Sequence, residues 1–523
     1  MAPVYSSMAS NWRIVSGVKI LGVSVGMTRV LQSKAGLVVA LLTFAALVAW
    51  GWVGFLGSDD VTFAIGGYGW LEHFPFVGGH GTIRYPITIP MAVSLLTLGG
   101  HEFAMVLPSL LYMVGFLVLT WFTVTRAGDG WLAFGALAVL ITCPLLVVQS
   151  SIASVDIVEM FYLFASAYLF WRCVEDGPDA KRLFFAGALA GLGFLTRETA
   201  IFIAVFYALY FAIGYRFHRG HYLWIAAGFV AVWMVEVIYL WIMTGDPLYR
   251  ITIALNHDST IDRTVDLAGN LIVHPLIDPL LVLLANQEFM ALFFVAIPLG
   301  GWLCFSRSIE PKLQRFARIV AMLGLVWFVT AGAAQKLLPL NPRYFMITCA
   351  SACILTGIAL AVLWQRGRKR WFLLLVAAFL LGTNMLGIYV ENKDSMFGER
   401  QLATLTQDRS ESIIYTDPMT RYRADMLLRW EKAQPHVLGK TPTADALYFY
   451  NPKWADSANF MMTADQIPAF KPQQGWEKLG SWEPQPPVIT KAIEASGLSA
   501  MIPGGIWKKL RYRHPPVSLY KVK

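Results

Sequence analysis

Two adjacent carboxylates, Asp59 and Asp60, directly follow the first long apolar run of the chain, which extends over residues 35–57 without a charged side chain. A charged pair at the edge of an apolar span is costly to bury and easy to solvate. Either carboxylate could cap the next helix, because Asp and Ser are favoured at helix starts, or could accept the proton of an attacking hydroxyl. Since a cap needs only one acid, we expect Asp59 to act as the base and Asp60 to cap the helix or bind a metal ion.

Six basic residues occur in loops that otherwise carry few cations, at or near the ends of apolar runs. They are Arg84, Arg197, Arg250, Arg263, Lys336 and Arg343. Some could be anchors whose charged tips reach the membrane surface. Others could be partners of nearby acids, such as Arg197 with the adjacent Glu198. Together they could instead hold a phosphate at headgroup depth, through charge-assisted contacts that also stabilise it as a leaving group. With a carboxylate as base, this pattern indicates displacement at a phosphorylated lipid, and all of the six except Arg263 are predicted phosphate-binding residues.

Further polar and aromatic side chains accompany these charges. Asp156 begins a helix and could stabilise its start through the helix dipole, or turn towards Asp59 as a third acid of the site. Candidate substrate-binding residues lie in the same loops; they are Glu72, His73, Tyr85, His257 and Tyr344. We therefore predict a polar cavity with three catalytic acids, Asp59, Asp60 and Asp156.

The composition indicates which elements must position these residues. Hydrophobic residues make up 56% of the 523, charged residues only 14%, and the mean hydropathy is +0.54, whereas soluble proteins carry about 25% charged residues. The chain is therefore predicted to be a polytopic α-helical membrane protein with about eleven spanning helices, for a hydrocarbon core of roughly 30 Å. The predicted spans are residues 35–57, 103–125, 131–149, 156–172, 183–197, 199–215, 222–244, 289–305, 317–335, 345–365 and 371–390.

Basic residues divide unevenly between the two sets of loops. With the N-terminus inside, the inner segments hold 18 of the 42 Lys and Arg residues, and the outer loops hold six. Because cytoplasmic loops are enriched in Lys and Arg, this predicts a cytoplasmic N-terminus and puts the first outer loop, residues 58–102, on the opposite side. We expect a basic interfacial arm at 1–34, a membrane domain at 35–390, and a domain at 391–523 on the periplasmic side of a bacterial inner membrane.

The segment after residue 390 mixes charge, proline and short apolar runs, as a soluble domain does. Strands are predicted at residues 412–416, 446–450 and 517–522, with a helix over 419–432, so a small α/β domain is expected. This domain could position an acceptor or cover the cavity as a lid.

Motifs for a bound cofactor are sparse. The five cysteines lie in or at the ends of apolar runs without metal-ligand spacing, so we expect them to pack in the core. The absence of a P-loop or dinucleotide fingerprint argues against a soluble nucleotide-sugar donor, and no nucleic acid partner is expected. Two possibilities stay open at the acids: Asp59, Asp60 and Asp156 could hold one divalent ion such as Mg²⁺ or Mn²⁺, or arginines alone could bind the phosphate.

Short motifs occur in a fixed order along residues 35–390. They are Ser58-Asp59-Asp60, Arg84-Tyr85-Pro86, Ser154-Val155-Asp156 with Tyr168-Leu169-Phe170, Gly191-Leu192-Gly193-Phe194-Leu195-Thr196-Arg197, and Pro342-Arg343-Tyr344. In order and spacing these motifs resemble the membrane glycosyltransferases with the GT-C fold. Within that group the chain is most similar to the protein O-mannosyltransferases (glycosyltransferase family 39) and the lipid A aminoarabinose transferases.

The resemblance implies a GT-C fold and an inverting glycosyltransferase. Such enzymes move a sugar from a polyprenyl-phosphate carrier in the outer leaflet to a hydroxyl acceptor, here a lipid, a glycan or a protein. By the resemblance Asp59 corresponds to the catalytic acid, with Asp60 as the competing choice. Arg84, Arg197 and Arg343 correspond to phosphate-binding positions.

The chain departs from the resembled families in two ways. Arginine replaces the usual lysine at Arg84 and Arg197, which keeps the charge but changes the geometry of the donors. The acceptor-binding domain that the mannosyltransferases carry between spans seven and eight is absent, and a terminal soluble domain is present, as in the aminoarabinose transferases. The class of acceptor is therefore left open.

Two other functions fit a membrane protein that handles lipid-linked sugars. A transporter or flippase should have repeated halves and broken helices near the bilayer centre, whereas this sequence has no internal repeat and its charges gather at one face. A ligase that transfers a whole polysaccharide should have a long outer loop between late spans, and the loop after the ninth predicted span is short. The transferase is therefore the preferred prediction, with the transporter as the alternative.

Overall fold

A computed structural model shows the fold of the chain. It describes residues 33–256, 274, 277–334, 340–367, 369–391, 396–409, 412–459, 461–511 and 514–523. The predicted arm at 1–34 lies almost wholly outside the described residues. So do two predicted site residues, His257 and Lys336.

Up to residue 391, the regular elements of the described chain are helices. They are α1 (Lys34–Trp50), α2 (Asp59–Glu72), α3 (Tyr85–Leu98), α4 (Glu102–Ala127), α5 (Gly130–Leu140), α6 (Pro144–Ser150), α7 (Val155–Asp176), α8 (Ala180–Thr196), α9 (Ile203–Ile213), α10 (Tyr222–Thr244), α11 (Tyr249–Asn256), α12 (Asp278–Ala285), α13 (Leu292–Phe305), α14 (Pro311–Ala333), α15 (Met346–Gln365) and α16 (Arg370–Glu391). Short 3₁₀ segments at Glu198–Phe202, Arg219–His221 and Pro342–Phe345 lead into α9, α10 and α15.

Each predicted span contains one of these helices or two consecutive ones. Six helices of the described chain are long and apolar enough to cross a membrane: α4, α7, α10, α14, α15 and α16. The pair α5 and α6, bent by 75° at its junction, makes a seventh if it is counted as one span. The predicted number of eleven is not confirmed, because the other helices are short: the 14 residues of α13 extend only about 21 Å at about 1.5 Å per residue.

Glycines allow α8 and α10 to pack in direct backbone contact. A Cβ atom at Gly187 would overlap the carbonyl oxygen of Ile225, and Gly228 meets the backbone of α8 in the same way. Small residues permit this approach in membranes, where van der Waals packing drives helix association. The contact matters for the site because Arg197 follows α8 and the buried Glu236 lies on α10.

Two short helices, α2 and α3, form the first loop after α1 and pack against each other. α2 begins at Asp59, and α3 begins at Tyr85 with Pro86 in its first turn, a position that suits proline. Apolar side chains of this loop, among them Phe63 and Ile87, share one hydrophobic core with side chains after α16, among them Leu428 and Phe449. Burial of that apolar surface holds the C-terminal domain against α2.

After α16 the chain forms a small mixed sheet with flanking helices. The strands are β1 (Ile414–Tyr415), β2 (Val437–Leu438), β3 (Leu447–Tyr450), β4 (Glu477–Trp482) and β5 (Val517–Lys521). The helices are α17 (Phe397–Asp408), α18 (Pro418–Trp430), α19 (Pro452–Ala455), α20 (Val488–Ala495) and α21 (Gly504–Leu510). The strand order is β2-β1-β3-β5-β4, with β1 parallel to β2 and β3, and β5 antiparallel to β3 and β4. β1, β3, β5 and α18 lie where the sequence predicts them; β2 and β4 carry too few β-branched residues in alternation to be recognised.

Candidate active site

The first turn of α2 separates the roles of the two adjacent carboxylates. Asp60 is 3% exposed, and its two oxygens accept hydrogen bonds from the backbone N–H groups of Leu56 at 2.6 Å, Ser58 at 2.6 Å and Val61 at 3.2 Å. Burial raises the pKa of Asp60 to about 6, although the hydrogen bonds favour its ionised form. Both oxygens of Asp60 are therefore used to hold the turn that leads into α2.

Asp59 has a different environment. Its side chain is 51% exposed, and Oδ2 lies 2.8 Å from Nη1 of Arg343. Desolvation in the cavity raises the pKa of Asp59, but the positive charges of Arg343, Arg84 and Arg197 outweigh it, so that the pKa lies below its usual value. Asp59 is an accessible, ionised carboxylate surrounded by cations.

Arg343 is positioned by the 3₁₀ segment that precedes α15. The side chain of Asn341 caps this segment by accepting a hydrogen bond from the Arg343 backbone N–H at 3.1 Å. The guanidinium carbon of Arg343 lies 5.5 Å from the centre of the Tyr344 ring. Its Nε is buried and has no hydrogen-bond partner among the described residues. A buried donor without an acceptor is costly, so this N–H can serve an anionic ligand.

A buried ion pair joins the end of α8 to the start of α7. Arg197 binds Oδ1 of Asp156, and both side chains are buried. The guanidinium of Arg197 also stacks on the Tyr344 ring, 4.1 Å from its centre, a contact worth about 0.5–2 kcal/mol. Asp156 is thus engaged by Arg197, and Tyr344 lies between this pair and the pair formed by Arg343 with Asp59.

Arg84 approaches the same cavity from the residue before α3. Its Nη2 lies 3.1 Å from Nε2 of His80, and its guanidinium carbon lies 5.6 Å from the centre of the Phe63 ring. Burial lowers the pKa of Arg84, despite the carboxylates nearby. In the part of the chain that the structure describes, its Nε has no hydrogen-bond partner. Arg84 therefore adds a second incompletely compensated positive charge within electrostatic reach of Asp59.

Arg250, also predicted to bind phosphate, is paired with acids and carbonyl oxygens of the protein itself. Its Nε and Nη2 bind the carboxylate of Glu236 at 2.9 and 2.6 Å, and its Nη1 binds Glu198 at 2.7 Å. Nη2 also donates to the carbonyl oxygens of Ile83 and Leu195, at 2.7 and 3.0 Å. Every nitrogen of Arg250 makes at least one contact within the protein, so this side chain holds four chain segments together.

Two of the predicted substrate-binding residues are aromatic and lie in contact with other site elements. Tyr344 lies beneath the guanidinium groups of Arg197 and Arg343. Tyr85 is buried, and its ring centre lies 5.7 Å from those of both Trp70 and Tyr239. Tyr344 is central to the charged cluster, whereas Tyr85 packs in an aromatic group beside it.

The polar residues predicted to bind substrate lie away from the charged cluster or outside the described chain. Glu72 pairs with Arg429 of α18, at the contact with the C-terminal domain. His73 is exposed just beyond the end of α2. The structure does not describe His257, and the same holds for Lys336 of the phosphate-binding set.

Two further acids near the site were not predicted. Glu236 is an acid in the middle of an apolar helix, and such a residue is by default a candidate for function or pairing, so the sequence did contain a signal for it. Glu288 lies between α12 and α13, within electrostatic reach of Arg343 and Asp156. Burial, reinforced by Glu391, raises the pKa of Glu288 to about 8. Glu288 had no comparable signal, because it lies in a loop.

α18 brings two C-terminal residues to the turn before α2. Arg423 donates from Nη2 to the carbonyl oxygen of Leu56. Burial raises the pKa of Tyr422, and the charges of Asp59 and Asp60 raise it further. The local sequence gave no indication of these contacts, because Arg423 and Leu56 are 367 residues apart and meet only through docking of the whole domain.

The three predicted acids have separate partners. Asp60 is held by backbone amides, whereas arginines bind Asp59 and Asp156. Mg²⁺ and Mn²⁺ favour sites built from several oxygen ligands, and the described carboxylates do not form such a group. An Mg²⁺ or Mn²⁺ cofactor therefore stays a prediction.

Three cysteines converge, which their spacing in the sequence did not predict. Sγ of Cys143, at the junction of α5 and α6, lies 3.3 Å from Sγ of Cys349 on α15. With Cys353, one turn further along α15, they form a buried group whose sulfur atoms all lie within 4.8 Å of one another. Thiolates prefer soft ions such as Zn²⁺ or Cu⁺ to Mg²⁺ or Mn²⁺, so the group could hold a soft ion, although a structural zinc site normally has four ligands.

Comparisons with known proteins identify the architecture. The family model for dolichyl-phosphate-mannose-protein mannosyltransferase matches residues 85–241. The structure is similar to that of ArnT from Cupriavidus metallidurans in the apo state, with a TM-score of 0.55 and 12% sequence identity over 87% of this chain and 96% of that chain. The chain has the GT-C glycosyltransferase fold. This confirms the fold that the sequence motifs predicted.

The same ArnT has also been solved bound to undecaprenyl phosphate. The present structure is similar to that one with a TM-score of 0.53 and 10% sequence identity over 80% of this chain and 94% of that chain. No curated protein matches the chain. The family match includes Asp156, Arg197 and Glu236, but it begins after Asp59 and ends before Arg343. The pair of Asp59 with Arg343 therefore lies outside the matched segment.

Proposed function

We propose that the protein is an inverting glycosyltransferase that moves a sugar from a polyprenyl-phosphate carrier to a hydroxyl acceptor. The observation that carries this proposal is the proximity of Asp59, an accessible ionised carboxylate, to Arg343 and Arg84, whose buried Nε–H groups lack acceptors among the described residues. The fold shared with ArnT, which binds undecaprenyl phosphate in one of its structures, supports it. A base beside a phosphate site is what transfer from a lipid phosphate to a hydroxyl requires.

In the proposed reaction, Asp59 accepts the proton of the acceptor hydroxyl as the hydroxyl oxygen attacks the anomeric carbon of the donor sugar. The bond between that carbon and the phosphate oxygen breaks on the opposite side, so the configuration inverts. Polyprenyl phosphate leaves with the electron pair, and Arg343 and Arg84 stabilise the charge that develops on it. A base positioned in this way contributes about 10²–10⁴-fold to the rate.

The ion pair between Asp59 and Arg343 would couple donor binding to the strength of the base. Desolvation raises the pKa of Asp59, and Arg343 is the main group that lowers it. A donor phosphate at Arg343 would compensate the arginine charge, so the pKa of Asp59 would rise. Asp59 would therefore become a stronger base when the donor is bound.

Arg197 would support this arrangement from the far side of Tyr344. Its pairing with Asp156 and its stacking on Tyr344 hold the ring that Arg343 also contacts. Its charge also contributes to lowering the pKa of Asp59. We therefore assign to Arg197 the positioning of Tyr344 and a part of the positive field that attracts the phosphate.

We infer that the acceptor approaches through a cleft between α2 and the C-terminal domain. The cleft has a volume of about 520 Å³. Its lining includes Val61, Ile65, Tyr422, Gln434 and Met461. Tyr422 links the cleft to the base, because the charge of Asp59 adds to burial in raising the pKa of that phenol. An acceptor hydroxyl in this cleft would arrive from the side of the C-terminal domain.

The proposed reaction needs Asp59 on the outer side of the membrane, and the distribution of basic residues among the loops predicts that orientation. We propose a cytoplasmic arm at 1–34, a membrane domain at 35–390, and a domain at 391–523 in the periplasm of a bacterial inner membrane. Asp59 would then meet a donor in the outer leaflet. A membrane-impermeant maleimide should label an introduced Asp465→Cys in cells whose outer membrane alone is permeabilised; labelling only after lysis of the inner membrane would reverse the orientation.

A transporter of lipid-linked sugar is the second candidate, and the bent pair of α5 and α6 is the feature that favours it. Broken helices near the bilayer centre are typical of transporter binding sites. The junction of this pair packs its Cys143 against Cys349, whereas the charged pairs described above collect at the starts of α2, α7 and α15. That separation favours transfer chemistry at one end of the membrane domain.

Asp59→Asn tests the proposed reaction. Transfer from a radiolabelled polyprenyl-phosphate-sugar extract of the source membranes should fall about 10²–10⁴-fold, because the base is removed at nearly constant size. Binding of undecaprenyl phosphate, measured by native mass spectrometry, should persist, since the arginines remain. Asp465→Asn, at an exposed acid of the C-terminal domain, is the control and should behave as wild type.

Transfer by the Asp59→Asn protein at the wild-type rate would exclude Asp59 as the base. If neither the wild-type nor the Asp59→Asn protein transfers sugar, but both move a fluorescent lipid-linked sugar across proteoliposome membranes, the protein is a transporter and the proposed enzyme activity is wrong.

A further inference from the structure

Helices α20 and α21 form a hairpin that is joined to α16 through the hydroxyl of Thr490. The hydroxyl of Thr490 lies 2.6 Å from that of Tyr389 in the last turn of α16, and Thr490 also donates to the carbonyl oxygen of Leu510 at 3.4 Å. Glu494, one turn after Thr490, binds Arg511 at 2.8 Å. Thr490 and Glu494 therefore mark the face of α20 that turns towards the end of α16 and the end of α21.

The opposite face of α20 is apolar and exposed. Val488 is 82% exposed and Ile489 45% exposed, and Ala492 is exposed one turn after Val488. At 3.6 residues per turn these three side chains fall on one side of the helix. The amphipathic pattern is thus the reverse of that expected at a surface in water, where the apolar side packs on the protein.

The exposed apolar surface continues through the link to α21. Leu498, Met501 and Ile506 are 52%, 80% and 51% exposed, and Lys491 and Lys508 are exposed beside them. Apolar surface of this kind marks a site of interaction. Apolar residues on one side with lysines at the edge are typical of helices that lie in a membrane surface.

The position of the hairpin in the fold identifies a lipid surface as its partner. α16 has 22 residues and is long and apolar enough to cross a membrane, and Tyr389 lies in its last turn. The hydrogen bond from Tyr389 to Thr490 therefore puts the start of α20 at the height where this span leaves the hydrocarbon. We propose that α20, the 3₁₀ segment Leu498–Met501 and α21 lie in the membrane surface. The side chains inserted among the lipid headgroups would be Val488, Ile489, Leu498, Met501 and Ile506.

Such an anchor would fix the height of the C-terminal domain above the bilayer. After α21 the chain enters β5, which lies between β3 and β4 in the sheet. The sheet in turn shares a hydrophobic core with the first loop. Anchoring the hairpin would therefore keep α18 and Tyr422 in register with α2 at the membrane surface. This inference does not depend on the proposed reaction.

Depth-resolved fluorescence quenching on the full-length protein tests the anchor. Met501→Cys is labelled with bimane and reconstituted, one copy per disc, in nanodiscs of phosphatidylethanolamine and phosphatidylglycerol. The five native cysteines are buried, and wild-type protein treated with the label measures the background. Leu386→Cys, at a position 42% exposed on α16, is the lipid-facing control, and Asp465→Cys is the water-facing control.

We expect lipids spin-labelled near the headgroup to quench the Met501 probe at least about twofold more than the Asp465 probe, because interfacial helices insert about 5–10 Å into the boundary between headgroups and acyl chains. Lipids spin-labelled at the chain end should quench it less than the headgroup-labelled lipids do. A Val488→Cys probe should show the same order. Quenching of both probes only to the Asp465 level would overturn the proposal. Shielding from water without quenching by lipid would also overturn it and would indicate a protein partner.

Discussion

Arg250→Met should destabilise the protein strongly, because it leaves a buried carboxylate without its partner. The side chains of Arg250 and Glu236 are 3% and 1% exposed. Removing one member of a buried ion pair costs about 3–5 kcal/mol. The carbonyl oxygens of Ile83 and Leu195 also lose their donor, at a cost of about 1–3 kcal/mol for each that stays unsatisfied. The free energy of unfolding should therefore fall by at least about 3 kcal/mol.

The assay is unfolding in mixed micelles of a mild detergent and dodecyl sulfate, followed by tryptophan fluorescence, with binding of undecaprenyl phosphate measured in parallel. The double variant Arg250→Met with Glu236→Leu is the decisive comparison. Replacing both members of a buried pair by apolar residues is often neutral or stabilising, so its stability should return to within about 1 kcal/mol of wild type. Both Arg250→Met and the double variant should bind undecaprenyl phosphate more weakly than wild type, because both lack the hydrogen bonds from Arg250 to the backbone next to Arg84 and Arg197.

Two controls separate charge from position. Arg250→Lys keeps a charge opposite Glu236 but cannot reach Glu198 and both carbonyl oxygens at once, so it should be intermediate in both measurements. Arg421→Met removes a partly buried pair with Asp425 and a hydrogen bond to the carbonyl oxygen of Val437, and it should cost less than Arg250→Met because Asp425 keeps access to water. The reasoning is refuted if Arg250→Met unfolds like wild type, or if the double variant regains lipid binding together with stability.

Two further predictions concern the adjacent acids and their arginine. The pKa of Asp60 is raised from 3.8 to about 6, so the folded state holds this proton more tightly, and the free energy of unfolding should decrease as the pH rises between these values. Asp60 should make the wild-type protein about 1 kcal/mol more stable at pH 5 than at pH 7; an Asp60→Asn protein with the same pH dependence would contradict this. Arg343→Ala should weaken binding of undecaprenyl phosphate about 10–100-fold, because a hydrogen bond to a charged group is worth about 1.5–3 kcal/mol, and Arg343→Lys should lose less. Because Arg343 is the main group that lowers the pKa of Asp59, Arg343→Ala should also move the acidic limb of kcat/KM, which reports the enzyme without bound donor, to higher pH; an unshifted limb would mean that the two side chains are not paired in solution.

The positions of the helices could be predicted because they depend on local sequence. A long apolar run in a membrane must satisfy its own backbone hydrogen bonds, which leaves a helix as the solution, and every predicted span does contain one. Helix lengths were less predictable. α5 and α6 break at Ile141-Thr142-Cys143, directly before Pro144, whose ring cannot continue the backbone hydrogen bonds of α5. The proline thus marks the break in the sequence, whereas the 75° angle between the two halves is visible only in the structure.

The members of the site were easier to predict than their partners. Asp59, Arg84, Arg197 and Arg343 stand out in the sequence by residue type and by position at apolar boundaries, and in the structure the three arginines lie within electrostatic reach of Asp59. The occupation of Arg250 by Glu236 was not foreseen. Whether a buried arginine serves a ligand or the protein depends on which acid lies opposite, and that acid comes from a different helix.

The sequence by itself determined the membrane class, the order of the elements and the residue types at one end of the membrane domain, because apolar length, charge and motif order are local properties of the chain. Only the tertiary structure decided which charge meets which. Asp59 and Asp60 are neighbours and chemically equivalent in the sequence. Consecutive residues in a helix point about 100° apart, so the fold buries Asp60 under three backbone amides and turns Asp59 towards Arg343. Their different environments arise from what packs on each side of the first turn of α2, so they could not be predicted from the two residues alone.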